Sequence, residues 1–172
     1  SGVGKTHLEN AIGTEMINTS GGAPVVACVS AQAFMDELIA ALQDGGVDRW
    51  RTRYRGADVL VIDDVQFVAG KERTQEELFH VFNALHSEGK QLVFVSDRPP
   101  RQLDGLEDRL RSRFEGGLVV EMQAPDRALR ERLYPHCLND AETPDREALI
   151  ALLADRAASS VREVIGVVNR IV

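Results

Sequence analysis

An α/β fold, with a parallel sheet sandwiched between helices, is predicted by two stretches and by what lies between the strands. Val59-Leu60-Val61-Ile62 is an unbroken aliphatic run, the pattern of a strand covered on both faces, and Asp63-Asp64 follow at its C-terminal end. Ser1-Gly2-Val3-Gly4-Lys5-Thr6 supplies the last part of a phosphate-binding loop. The other short aliphatic runs are separated by helical patterns, as crossovers between parallel strands require. Open α/β sheets bind ligands at the carboxyl ends of their strands, so the two acids are placed to meet a Mg²⁺-phosphate. Paired acids alone equally suit a solvated strand end. Together with the loop they place the chain among P-loop NTPases.

Composition sets the bounds. A chain of 172 residues can bury one ordinary core and carry a small appended subdomain. With 44% hydrophobic and 27% charged residues it has globular composition, and no 18-residue apolar span or basic-then-apolar leader is present. A cytoplasmic protein is therefore expected. Cys28 and Cys137 form no CxxC and accompany no His cluster, which predicts buried thiols, not a disulfide or a metal site. The net charge of −7 argues against wholesale coating of nucleic acid. Arginines nevertheless crowd two segments, Arg49, Arg51, Arg53 and Arg55, then Arg98, Arg101, Arg109, Arg111 and Arg113, so local patches would carry any anion binding.

The opening loop lacks the first glycine of GxxxxGK[ST] and the strand that feeds it, which predicts a fragment cut inside its nucleotide site, with its first strand missing. Gly2 and Gly4 let the backbone curl so that amides point inward. Lys5 would reach the β/γ-phosphates and Thr6 would ligate Mg²⁺. A helix from Thr6 to about Met16 turns its N-terminal dipole toward the same anion. Gly21-Gly22-Ala23-Pro24 breaks it, and residues 25–29 read as a buried strand. Ser30 is the expected N-cap of a helix over 31–42, and a second helix over about 47–54 carries Trp50 and the arginines. This helical pair is an insertion that a minimal nucleotide-binding sheet does not need.

Past the central strand, Gly70 marks a turn and Thr74 with Glu77 has capping-box spacing, predicting a helix from there to about Ser87 with Leu78, Phe79, Phe82 and Leu85 buried. Residues 91–97 read as a strand whose end brings Ser96 and Asp97 to the same sheet edge as Asp63 and Asp64. A helix over about 106–114 puts Arg109 and Arg113 on one face. Residues 118–122 read as a last strand. Beyond Pro125 the pattern is helical, over about 126–138, 146–157 and 161–172, broken at Pro144 and at Ser159-Ser160, where Ser160 and Glu163 again have capping-box spacing. The organisation expected is a nucleotide-binding subdomain over 1–125, truncated at its start, and a helical lid over 126–172, truncated at its end.

The stretches over 62–91 (IDDVQFVAGKERTQEELFHVFNALHSEGKQ), 95–103 (VSDRPPRQL), 106–118 (LEDRLRSRFEGGL) and 159–172 (SSVREVIGVVNRIV) resemble the AAA+ domain of the bacterial replication initiator family DnaA. The resemblance runs through essentially the whole chain. It implies ATP and Mg²⁺ as cofactors, with Gly2, Gly4, Lys5, Thr6 and His7 at the nucleotide and Thr6 and Asp63 on the metal. It further implies that Asp64 polarises the attacking water, Asp97 is a first sensor, Arg162 a second sensor on the lid, and Arg113 an arginine finger given in trans. Ile39, Lys71 and Arg73 sit where the family contacts single-stranded DNA, and the helical insertion resembles its initiator-specific motif.

The activity so implied is slow, switch-like ATP hydrolysis in a head-to-tail oligomer that engages one strand of origin DNA. The fragment alone is expected to be inactive. The replicative helicase or its loader and, in the full protein, acidic phospholipid are the further partners implied. A related regulator or helicase-loader ATPase is the alternative within the class. A small-molecule kinase and a catalytically silent module are the rivals outside it, disfavoured by the arginine helix with its helical tail and by intact Lys5, Thr6, Asp63 and Asp64.

Overall fold

The computed structural model describes residues 2–19, 22, 24–138, 145–156 and 158–170. The turn residues Gly21 and Ala23, the break at Pro144, and Ile171 and Val172, expected to end the third helix beyond Pro125, lie outside the described residues. Two compact units divide the chain, Thr6–Val120 and a second that joins Ser1–Lys5 to Glu121–Val172.

In the first unit the order is α1 (Lys5–Thr19), β1 (Val26–Ser30), α2 (Ala31–Gln43), α3 (Val47–Arg55), β2 (Val59–Asp63), α4 (Glu72–Ser87), β3 (Gln91–Phe94) and α5 (Asp108–Glu115), with a 3-10 turn over Val65–Val68. The strands form a parallel sheet in the order β1-β2-β3, Ser30 level with Asp63 and Ile62 level with Phe94. Strand side chains alternate between faces, and that alternation assigns the layers. Leu60 and Ile62, with Ala27, Val29, Leu92 and Phe94, join one core with α2, α3, α4 and α5. Val26 and Cys28 point the other way, where a Cβ on Gly13 of α1 would lie 3.5 Å from Val26 Cγ1. Helices therefore cover both faces, as the four-aliphatic run requires.

The insertion is held by aromatic packing. Phe34 on α2 lies 4.8 Å, ring to ring, from both Trp50 and Tyr54 on α3. The Tyr54 hydroxyl donates to Glu37 at 2.8 Å, and burial pushes the phenol well above its usual range. Ser30 caps α2 as expected, its hydroxyl accepting from Ala33 N at 3.1 Å.

Three expectations are corrected. Residues 118–122 form no strand, and Leu118 is 92% exposed. Aliphatic residues become a strand only where a ladder accepts them, and neither β1 nor β3 pairs with this stretch. The helix α4 begins at Glu72, not at Thr74, so Thr74 and Glu77 are buried interior residues and no capping box forms. Glu77 instead accepts Arg51, a stronger partner than an end amide. Cys28, expected buried, is exposed, because β1 lies at the edge of the sheet, while its register partner Val61 on the central strand is buried.

The second unit holds α6 (Arg127–Leu138), α7 (Arg146–Asp155) and α8 (Val161–Val168). Tyr134, Leu138, Leu153, Ala154, Val164 and Val168 make its core. The Arg130 guanidinium donates to the carbonyl of Ala154 at the end of α7, at 2.9 and 3.0 Å, where a cation suits the helix dipole. Ser160 caps α8 through Glu163 N at 3.1 Å, but the Glu163 carboxylate returns to Ser159, not Ser160. No helix among the described residues is long and apolar enough to cross a membrane.

Candidate functional site

The acids at the end of β2 separate because the chain turns sharply between them. Asp63 ends the ladder. Thr6 Oγ1, in the first turn of α1, donates to Asp63 Oδ2 at 2.9 Å, while Asp63 Oδ1 accepts Asp64 N at 2.7 Å. Asp64 adopts φ 53° and ψ 42°, a left-handed conformation that costs a non-glycine residue roughly 1 to 2 kcal/mol. The strain aims Asp64 away from the strand direction and into the reach of Gln66, whose Nε2 donates to Asp64 Oδ1 at 2.8 Å. Gln66 Oε1 in turn accepts Ser96 Oγ at 3.2 Å and Asp97 N at 3.4 Å. One amide thus ties the end of β2 to the segment after β3. The Asp97 carboxylate takes Arg98 in bidentate fashion, at 2.9 and 3.0 Å, so it is screened by its own neighbour.

Beside Asp63 stands a third acid. Glu9, one helical turn after Thr6, is 6% exposed, and its Oε2 is buried without a hydrogen-bond partner. Burial, then the Asp63 carboxylate beside it, pushes Glu9 up to about 7. Glu9, Thr6, Asn10, Cys28, Ser30 and Asp63 line a cavity of about 250 Å³. No three His, Cys, Asp or Glu side chains gather as a metal site among the described residues. The donors at this end of β2 are two carboxylates and a hydroxyl, all hard oxygens. Mg²⁺ takes such a set when phosphate and water complete it, so the residues fit the ion.

In the second unit the loop residues meet the start of α8. Gly2 and Gly4 have φ of 80° and 103°, open to glycine alone at no cost. A Cβ on Gly2 would come within 3.2 Å of Ser160 Cβ and 3.3 Å of Arg162 Cβ, and Arg162 N donates to Gly2 O at 3.1 Å. Arg162 is thereby placed at the loop by its backbone. Lys5, Thr6 and His7 open α1, where first-turn amides lack helical acceptors and suit an anion.

The residues expected at DNA lie on α2 and at the start of α4. Ile39 is 51% exposed, and Lys71 is exposed immediately before α4. Arg73 is half exposed and ion-paired, to Glu76 at 2.6 Å and to Glu77 at 2.9 Å. Glu77 has no exposed surface and takes Arg51 of α3 through both carboxylate oxygens, at 2.6 and 2.8 Å. The insertion and Arg73 therefore share one buried anion. On α5, Arg109 lies 4.8 Å from the ring centre of Phe79 and exposed Arg113 5.8 Å from that of Phe82. The two arginines share a face, as the four-residue spacing predicts.

Sequence reading missed Glu9, Gln66 and Glu77 as site residues. Glu9 had a signal, since it follows Thr6 by three positions and precedes Gly13 by four, on the helix face turned to the sheet. Gln66 had none, because its partners come from two distant segments.

The chain matches the family described as bacterial DnaA ATPase domain over residues 1–121. It is 46% identical over 171 residues to the chromosomal replication initiator protein DnaA of Thermomicrobium roseum, covering 99% of this chain and 37% of that protein. A solved structure of replication initiator DnaA bound to AMPPCP and single-stranded DNA superposes with a TM-score of 0.86 at 39% identity, covering 99% of this chain and 52% of that one. Domain III of the Thermotoga maritima replication initiation protein DnaA gives a TM-score of 0.87 at 36% identity, covering 96% and 69%. The chain thus spans well under half the length of that curated relative.

Proposed function

This chain belongs to the bacterial DnaA ATPase domain family, and from that premise we propose that it is the nucleotide-switched core of a chromosomal replication initiator. It binds ATP with Mg²⁺, hydrolyses it slowly, assembles head to tail and holds a single strand of origin DNA. The observation that carries the reading is the pairing of Thr6 with Asp63 at 2.9 Å, which joins the end of the phosphate loop to the end of the central strand. When bound, Mg²⁺ neutralises the phosphate oxygens and orders them for in-line attack.

The protein's own groups do the rest. Lys5 and the first amides of α1 take the β/γ-phosphates, and Gly2 and Gly4 allow the backbone to approach them. Asp64 orients the attacking water, and Gln66 fixes Asp64 against the segment bearing Asp97. Arg162 reads the nucleotide from the lid side of the loop, and a neighbour's Arg113 completes the pocket. Occupancy of one site thereby becomes a contact with the next, and a head-to-tail contact that does not close extends as a filament.

Hydrolysis tests the catalytic half. Asp64→Asn should retain ATP binding and lose hydrolysis by at least about 100-fold, as for a lost water-orienting group. Gln66→Ala should lower kcat and leave ATP affinity unchanged, because it positions Asp64 without touching phosphate. Equal losses of affinity and rate in Gln66→Ala would show that it supports only the fold.

Single-strand binding tests the other half. Lys71→Ala with Arg73→Ala should weaken ATP-dependent binding of single-stranded DNA and reduce the slope of log affinity against log salt by roughly 1.4 units, at about 0.7 for each of two phosphates no longer neutralised. A slope equal to wild type would remove this patch from the DNA path.

A further inference from the structure

We propose that Glu9 is an additional arm of the divalent-cation site begun by Thr6 and Asp63, so that the chain holds a hard dication such as Mn²⁺ or Mg²⁺ before nucleotide arrives. This rests on the reading of Thr6 and Asp63 as cation ligands given above. The two-ligand site needs no third acid, and a helix face turned to a sheet ordinarily carries an apolar residue at such a position.

The geometry supports the assignment. Thr6 and Glu9 lie one turn apart on α1, and Thr6 Oγ1 is already 2.9 Å from Asp63 Oδ2. Glu9 is 6% exposed, and its Oε2 is fully enclosed with no hydrogen-bond partner. An enclosed carboxylate oxygen is ordinarily paired or bound to metal. Among the described residues that line the cavity of about 250 Å³ there is no lysine or arginine. That cavity has space for an ion and several waters, each taking about 30 Å³ in the liquid. Two carboxylates, a hydroxyl and water are an oxygen set suited to Mg²⁺, Mn²⁺ or Ca²⁺. A dication there would bridge the two carboxylates that the fold brings together at this end of β2.

The test is Mn²⁺ titration of the full chain without nucleotide, followed by electron paramagnetic resonance, for wild type, Glu9→Gln, Glu9→Leu and Asp63→Asn. Wild type should bind one Mn²⁺, and each Glu9 variant should bind at least about tenfold more weakly, the loss typical of removing a supporting carboxylate. Melting curves provide the second readout. Mn²⁺ should raise the wild-type midpoint but not that of Glu9→Leu, which should itself melt above wild type in EDTA because the enclosed oxygen without a partner is gone. Absence of Mn²⁺ binding by wild type, or wild-type affinity in either folded Glu9 variant, overturns the proposal. Should Glu9→Gln not fold, Glu9→Leu carries the comparison. Mg²⁺-dependent ATP binding that survives in Asp63→Asn would instead overturn the underlying reading of the Thr6–Asp63 site.

Discussion

Arg113→Ala is expected to abolish ATP-dependent oligomers while leaving ATP affinity nearly intact, and thereby to remove the acceleration of hydrolysis on assembly, roughly 10³ to 10⁵-fold for an arginine finger. The three arginines of α5 divide their work. Arg111 is committed inward, pairing with Asp108 at 2.7 Å and donating to the Leu106 carbonyl at 2.8 Å. Arg109 pairs with Glu107 and lies over Phe79. Arg113 is exposed and lies over the Phe82 ring, which restrains its stem without neutralising its charge. A guanidinium held so can meet an anion that another molecule presents. Sedimentation with ATP and with ADP measures the effect. Arg113→Lys should fail to restore assembly, because an ammonium lacks the planar fork that meets phosphate oxygens in pairs. Lost ATP binding with assembly preserved would refute the role in trans.

How far the sequence foretold this arrangement depended on the range of the forces involved. The run Val59–Ile62 read as a doubly covered strand because its burial on both faces leaves no polar position, and all four residues are buried. Ser30 was legible as a cap because the bond it makes closes within three residues. Thr74 and Glu77 have the same kind of spacing, yet α4 starts two residues earlier. Their local signal lost to a bidentate arginine from another helix, which no window along the chain contains. Residues 118–122 failed for a related reason. Their β-branched composition states a preference, while a strand requires a partner edge.

The functional residues divide along the same line. Thr6 stood out through the phosphate-loop motif, and Asp63, Asp64 and Asp97 because they end aliphatic strands at one sheet edge; the structure brings Thr6 to Asp63 and links Asp64 to the backbone of Asp97 through Gln66. Gln66 itself could be found only once β2 and β3 were side by side. Arg73 was legible as a charge but not as a tethered one. The anion that tethers it is four residues further along α4, and Arg51, which holds that anion in place, comes from α3.

Glu77→Ala is accordingly expected to cost about 2 kcal/mol, since it strips Arg51 and Arg73 of a buried charged acceptor while both guanidiniums keep access to water. At 2 to 4 °C per kcal/mol for a chain of this size, the midpoint should fall by roughly 4 to 8 °C. The double variant Arg51→Met with Glu77→Met should recover most of the loss, because apolar groups of similar volume avoid the desolvation of both charges. Hydrogen bonds from Arg51 hold the Glu77 carboxyl below its usual range, against the opposing effect of burial. A depressed folded pKa stabilises above the unfolded value of about 4.3 and loses that contribution as pH falls through the folded one. Acid melts of Glu77→Gln should therefore lose less stability below about pH 4 than wild type does. The consequence for DNA has a sign that separates two accounts. Removing an acid beside Arg73 makes the patch more positive, so charge alone predicts tighter single-strand binding. If Glu77 instead fixes the direction of Arg73 and the seat of the insertion, binding weakens despite the added charge, and weakening at low salt is the expected result.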